Sequence, residues 1–452
     1  MSGKWLAVRE RFARVHSDHK RIALGGAWVM GFVLVGKLAS AGKEMAVAWR
    51  YGVSETVDAY QLATTMVFWL PGTLVSVLLI VLVPMFVRLR QSDHEDRSYF
   101  LQELHGAAVV VGAIIAGLSL LLGPLVLPPL ADKLSAESRQ IAWSLTRGMA
   151  PLAVLSLMLG VYAARLMARE RQINTLLEGV PAASIVLFIL LWPPGTAAAP
   201  LLWGNVLGIA IQTVWSWRLA GRADGATAVP RFSLRSRHWP ELYAATGVMV
   251  VGQFVMSFTT PLDQYTAAQL GNGAIATLGY ANRVITLLIS IGAIAIARAI
   301  LPVMSDLWAA GQTERARDIS LKWAALMLAA GALVAMIAWA LAPWGIRLLF
   351  ERGAFMSQDT LVVANVFRWG VIQVPFYYAG LVLVQLLATQ GKYGTIAAFA
   401  ASNLIIKLAL NPVLSARMGI GGIALATALM YVWWASCLYY AALRIQPAKW
   451  RA

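Results

Sequence analysis

The chain has 452 residues, 59% of them hydrophobic and only 13% charged, with a mean hydropathy of +0.68. A soluble globular domain carries about 25% charged residues, so that class is excluded and a polytopic helical membrane protein remains. The formal charge of +16 does not imply nucleic acid as a partner, because Lys and Arg fall between apolar runs and form no aromatic-interleaved groove.

Residues 1–21 are basic and amphipathic and lack a small-residue cleavage site, which predicts a retained helix lying on anionic lipid. Apolar runs of about 18 residues or more then predict twelve spans. They cover 22–49, 56–87, 105–129, 140–164, 173–192, 198–217, 241–262, 274–303, 320–343, 358–388, 394–414 and 419–443. Pro71, Pro151, Pro181 and Pro375 fall inside spans, where a ring without an N–H kinks a helix. Alternate connections are rich in Lys and Arg, from Arg9, Arg11 and Arg14 through Arg88 and Arg97 to Arg444 and Lys449. The other set holds few, such as Arg50, Lys133 and Arg347, which places both termini in the cytoplasm.

The longest connection divides the chain into six spans and six. The expected organisation is an N-terminal lobe at 22–217, a linker at 218–240, a C-terminal lobe at 241–443 and a tail at 444–452. A weak internal repeat agrees. Val57-Asp58-Ala59-Tyr60 followed by Val83-Pro84-Met85 resembles Leu262-Asp263-Gln264-Tyr265 followed by Leu301-Pro302-Val303-Met304. Parallel repeats about an axis along the membrane normal belong to transporters whose site lies between pseudo-symmetric lobes. The fold class is therefore all-α.

Charges inside the spans mark the expected site. If the first helix begins near Arg21, Lys37 lies about 24 Å along it, deep in a hydrocarbon layer about 30 Å thick. A cation there costs roughly 2.5–3.5 kcal/mol unless it faces a wet cavity or a partner. Lys43 and Glu44 follow on the same helix. Glu178 and Lys407 are also deep, and a structural ion pair explains them as well as a transport role does. Arg147 and Arg298 lie near enough to span ends to snorkel.

Four stretches stand out: Gly36-Lys37-Leu38 with Lys43-Glu44; Tyr51-Gly52 through Val57-Asp58-Ala59-Tyr60; Gly279-Tyr280-Ala281-Asn282-Arg283; and Leu349-Phe350-Glu351-Arg352-Gly353-Ala354-Phe355 with Asp359-Thr360. In this order they resemble the MurJ/MviN family of lipid II flippases. That family sits in the MOP superfamily, with polysaccharide-unit flippases and MATE-type multidrug exporters. The chain departs from the family's usual fourteen spans and has Lys37 and Lys43 where arginines are usual. Apolar Val67-Phe68-Trp69-Leu70-Pro71 replaces a basic segment.

The resemblance implies a flippase for an undecaprenyl-diphosphate-linked glycan, either lipid II or a related repeat unit. It would work in the bacterial inner membrane by alternating access, with glycan-synthesis enzymes as further partners. On that reading Lys37, Lys43 and Arg283 hold the diphosphate through charge-assisted hydrogen bonds. The plain alternative pairs Lys37 with Glu44. Asp58 reads either as the N-cap of its own helix or as a gate that pairs with a cation at the outer mouth, and Asp263 reads likewise. Trp49, Trp344 and Trp433 read as interface anchors.

An alternative function is an ion-coupled exporter of small amphiphiles, which needs a deep carboxylate, here Glu178. A non-transporting scaffold is a third reading. No GxxxxGK[ST] loop occurs, so ATP hydrolysis is not expected. No cofactor or metal site is expected either: Cys437 is the only cysteine, and His16, His19, His94, His105 and His238 have no ligand spacing.

Overall fold

The computed structural model describes residues 35–89, 94–169, 176–193, 198–225, 229–309 and 312–445. The expected amphipathic N-terminus, the start of the first span, His16, His19 and most of the tail lie outside them. Among the described residues all regular structure is helical. The first half of the chain gives α1 (35–51), α2 (Glu55–Arg88), α3 (His94–Leu130), α4 (Ala136–Met149), α5 (Leu152–Ala168), α6 (Val180–Leu191) and α7 (Ala199–Asp224). The second half gives α8 (Trp239–Ser257), α9 (Thr259–Ala268), α10 (Ala274–Ala309), α11 (Thr313–Ala340) and α12 (Ala342–Phe350). It ends with α13 (Ser357–Val371), α14 (Gln373–Thr389), α15 (Tyr393–Met418) and α16 (Ile420–Leu443).

Among the described residues each predicted span from the second onward overlaps a helix or a broken helix pair, but the fifth, 173–192, is matched only by the 12 residues of α6. By length and apolarity alone, six helices among the described residues can cross a membrane, or eight if each bent pair counts as one span. This is a multi-pass membrane protein. Its outward faces carry exposed Leu121, Leu125, Leu191 and Ile405, as lipid-facing surfaces do.

Proline sets the breaks in three places. α4 and α5 meet at 49° where Pro151 removes a backbone donor. Pro181 stands in the first turn of α6, and Pro375 lies just beyond the interruption between α13 and α14. Pro71 instead sits inside an unbroken α2.

Two polar devices tie distant elements together. The Arg50 guanidinium donates to the carbonyls of Ile189, Trp192 and Pro193 at 2.7, 3.0 and 2.7 Å. It thereby satisfies the free carbonyls at the end of α6. At the other end of the bundle Glu103, fully buried on α3, gathers the strap that precedes α8. It accepts from the Ser233 hydroxyl at 2.5 Å, the Arg235 and Ser236 amides at 2.8 and 2.9 Å, and the Trp239 indole at 2.8 Å. The strap also lies flat on Gly106, where a Cβ would sit 2.0 Å from the Arg231 carbonyl oxygen.

Candidate functional site

A polar cavity of about 910 Å³ opens between the two halves of the chain. α1, α2, α5, α6 and α7 line one side, and α9, α10, α14, α15 and α16 line the other. The basic residues on its wall are Lys43, Arg283 and Lys407, and the acidic ones are Glu178 and Asp263. The site is thus charge-compensated, where sequence reasoning expected a mainly cationic pocket. Hydrocarbon around the bundle makes an idle charge costly, so each cation is held against a carboxylate.

Glu44 organises the first cluster. Its Oε1 lies 2.7 Å from Lys43 Nζ and 3.0 Å from Arg283 Nε. Glu44 and Lys43 are largely buried, while the Arg283 side chain is 55% exposed and reaches into the cavity. The expected alternative of a Lys37–Glu44 pair is not what forms. Seven residues of helix leave the two side chains roughly 20° short of two full turns and put about 10 Å of rise between them. Glu44 instead takes its neighbour and a partner from α10. Lys37 donates to the Ser290 hydroxyl at 3.4 Å and lies within electrostatic range of Glu178. It does not line the cavity with Lys43 and Arg283, so the three expected diphosphate ligands come together only as a pair.

The second cluster is on the facing wall. The Lys407 ammonium, almost fully buried on α15, sits on the Asp263 carboxylate of α9. Asn411, one turn on from Lys407, donates to the other Asp263 oxygen at 3.0 Å and to Thr266 Oγ1 at 3.3 Å. Of the two readings of Asp263, the N-cap is not what forms, whereas pairing with a cation is. The residue lies within a helix and holds a lysine, so the two aspartates share a sequence pattern and not an environment.

Asp58 also departs from expectation. Ser54 occupies the N-cap position of α2, and Asp58, buried inside that helix's first turn, caps α10 instead. It accepts the Gly273 amide on Oδ2 and the Ala276 amide on Oδ1, the latter at 2.7 Å. The partner is a helix N-terminus rather than the cation expected of a gate. Glu55 adds to the same seam, accepting from Ser135 Oγ at 2.5 Å, Ser138 Oγ at 3.0 Å and Asn272 Nδ2 at 2.5 Å.

Three of the four motifs quoted above meet here. The Tyr280 hydroxyl donates to the Gly52 carbonyl at 3.0 Å, and the Ala354 amide donates to the Trp49 carbonyl at 2.8 Å. The Tyr280, Phe350 and Phe355 rings pack with centroids 5.2–5.7 Å apart. Gly52 is required twice over: its φ is +57°, and a Cβ would stand 2.3 Å from the Ala354 carbonyl oxygen. The cavity is therefore sealed at the Gly52 end by main-chain bonds between the halves. Trp49 works in this seam through its backbone, a role its reading as an interface anchor did not include.

Among the other charges, Arg147 lies over the Trp143 ring at 5.6 Å, and Arg368 over Trp339 at 4.6 Å. The described residues hold no cluster of three or more His, Cys, Asp or Glu side chains able to bind a metal.

Comparison with known proteins bears on this arrangement. The family model described as "Lipid II flippase MurJ" matches residues 47–449. A probable lipid II flippase MurJ of Bdellovibrio bacteriovorus is 26% identical over 230 residues, which is 50% of this chain and 43% of that protein. One from Helicobacter pylori is 30% identical over 182 residues, covering 40% of this chain and 39% of that protein. The chain thus aligns with less than half the length of these curated relatives. Among solved structures, a lipid II flippase MurJ in an inward closed conformation superposes with a TM-score of 0.79 at 17% identity, over 93% of this chain and 88% of that one. An inward-facing MATE-family multidrug resistance transporter of the MOP superfamily gives 0.74 at 11% identity, over 90% and 93%. These two likenesses establish the fold.

Proposed function

The chain belongs to the lipid II flippase MurJ family, a family of transporters rather than enzymes, and on that premise we propose how it moves a lipid-linked precursor. The cargo is an undecaprenyl-diphosphate-linked glycan, either lipid II or a related oligosaccharide, carried across the bacterial inner membrane by alternating access. The chain works as two lobes, 22–217 and 241–443, joined by the linker at 218–240, with the basic 1–21 segment and the 444–452 tail on the cytoplasmic face. Lys- and Arg-rich connections at the Arg88 end support that orientation. The Gly52 end then faces outward, and the bonds that seal it make this the state that loads from the inside.

One observation carries the reading: Lys43 and Arg283, from opposite lobes, share a single carboxylate beside an accessible cavity. Glu44 keeps the two cations compensated while the site is empty. A diphosphate entering the cavity offers two or more anionic oxygens and displaces Glu44 from one or both partners. Because Arg283 and Lys43 come from different lobes, the bound diphosphate crosslinks them, and the lobes move around it. Lys37, backed by Glu178, and Lys407, backed by Asp263, set the field on either flank. Asp58 is the gate: it releases α10 when the outer end opens. Enzymes that build or polymerise the glycan are the partners this role calls for.

The test is a translocation and rescue assay in a strain depleted of its peptidoglycan flippase. Wild-type rescue assigns lipid II as cargo. No rescue, with loss of a surface polysaccharide on deletion, assigns a related glycan. Lys43→Ala and Arg283→Ala variants that still transport at the wild-type rate refute the diphosphate site.

A second reading, ion-coupled export of small amphiphiles, draws on Glu178 and Asp263, both in the cavity wall. It requires drug-dependent proton or sodium flux in proteoliposomes and no dependence on a polyprenyl diphosphate.

A further inference from the structure

A second compartment lies behind the wall of the polar cavity. It encloses about 290 Å³ between α2, α3 and α5 of the first half and α8 of the second. Leu74 and Leu78 of α2 and Leu157 of α5 face it, whereas Gly72, Val75 and Ser156 on the same two helices face the polar cavity. One helix thickness separates the two spaces.

The compartment offers nothing to a sugar or an ion. Thr246 donates its hydroxyl to the Leu242 carbonyl at 2.7 Å, and the Trp239 indole N–H is spent on Glu103. Tyr243 stacks on Trp239 at 5.4 Å and stands exposed at the mouth. A water inside would lack partners, and an apolar void of this kind stays dry or takes up hydrocarbon.

Its shape follows from how α8 is held. One end is pinned where Trp69 and Thr73 bond Ser257 at 3.1 and 2.9 Å, the other where Trp239 bonds Glu103 at 2.8 Å. Between the pins the small Ala107 and Ala108 leave a slot that follows α8 from Trp239 to Val250, about 16 Å at 1.5 Å per residue. The rim at the Trp239 end is charged: Arg88 lies 2.5 Å from Glu241, and Arg237 lies 2.8 Å from Asp96. The arginines are exposed there, so the anionic head of a lipid whose chain entered the slot would meet them.

We propose that this slot seats the first isoprene units, those next to the diphosphate, of the cargo's polyprenyl chain. The inference rests on the flippase reading above and adds where the tail goes. The rim arginines meet the diphosphate on arrival. The chain then lies along α8 while the head is handed over to the polar cavity.

The experiment uses the full chain in nanodiscs and a polyprenyl diphosphate with a photoreactive group on its isoprenoid, with labelled peptides mapped by mass spectrometry. Label is expected in the segments 104–111 and 239–250. Ala108→Trp, which fills the slot, and Val111→Phe, which narrows its mouth, should each cut that label about tenfold, as expected when a few methylenes are excluded. Unlabelled polyprenyl diphosphate should compete and phosphatidylglycerol should not. Label elsewhere, equal competition by phosphatidylglycerol, or undiminished label in two variants that elute as folded protein overturns the slot. A wild-type protein that flips its precursor with the label elsewhere overturns the slot alone. A protein that neither takes the label nor flips overturns the flippase reading with it.

Discussion

Asp58 accepts the main-chain amide of Ala276 at 2.7 Å, across 218 residues of sequence, and through that bond one half of the chain caps a helix of the other. A carboxylate at a helix N-terminus satisfies orphan amides and complements the helix dipole, together worth about 1–2 kcal/mol. That energy belongs to one conformation only, because the bond cannot survive separation of α2 from α10.

Removing the carboxylate should therefore bias the protein toward opening at the Gly52 end. In a Cys437→Ser background, Asp58→Ala is expected to raise the labelling of a cysteine at position 276 by a membrane-impermeant maleimide. It should also lower thermal stability by roughly 1–2 kcal/mol. Gly52→Ala should do the same, since it both strains a positive φ and drives a methyl into the Ala354 carbonyl. Unchanged labelling in both variants would show that the seam is not the gate.

Glu44→Gln is the informative change in the polar cavity. It removes the negative charge that Lys43 and Arg283 share while keeping an acceptor oxygen, so a polyprenyl diphosphate should bind more tightly while turnover falls, because release becomes slow. Lys43→Ala and Arg283→Ala should each lower transport by about tenfold or more, the loss of one charge-assisted contact. Binding isotherms in nanodiscs beside a transport assay separate the two effects.

The Lys407–Asp263 pair lends itself to a double-mutant cycle. Lys407→Met or Asp263→Asn alone strands a buried charge and should cost on the order of 3 kcal/mol in stability. The double variant, apolar against neutral, should recover most of that loss. If the double variant is stable and still transports at the wild-type rate, the pair only holds the fold together.

How much of this was legible in the sequence depends on the range of the interaction. The apolar runs and the break at Pro151 were, because a stretch of apolar residues or a single proline acts on its own neighbourhood, though Pro71 left its helix unbroken. The pairing of charges was not. Lys37 and Glu44 looked like partners along one helix, but Arg283 approaches Glu44 from a helix that only the fold brings near. Asp58 looked like a local cap because its true partners are amides, which carry no residue signature. Asp263 was drawn into the same reading by a repeat that fixes position along the chain and says nothing of what lies opposite.

Glu103 yields a fourth prediction. Glu103→Ala leaves the Arg235 and Ser236 amides and the Trp239 indole without an acceptor, at roughly 1–3 kcal/mol for each group that stays buried. The strap should detach, shifting tryptophan emission to the red and exposing residues 229–238 to protease. An unaltered digestion pattern would mean the strap is held by its apolar contacts.

The seam at the Gly52 end is written largely in main chain: Gly52, Trp49, Gly273, Ala276 and Ala354 all contribute backbone atoms. Side-chain drift on the receiving surfaces therefore leaves the bonding pattern intact as long as the replacements are small, and an inhibitor aimed at this junction would find few side chains to grip. Deleting the donor itself takes an imino acid. A proline at 276 would strip away one amide hydrogen and leave half of Asp58 with nothing to hold.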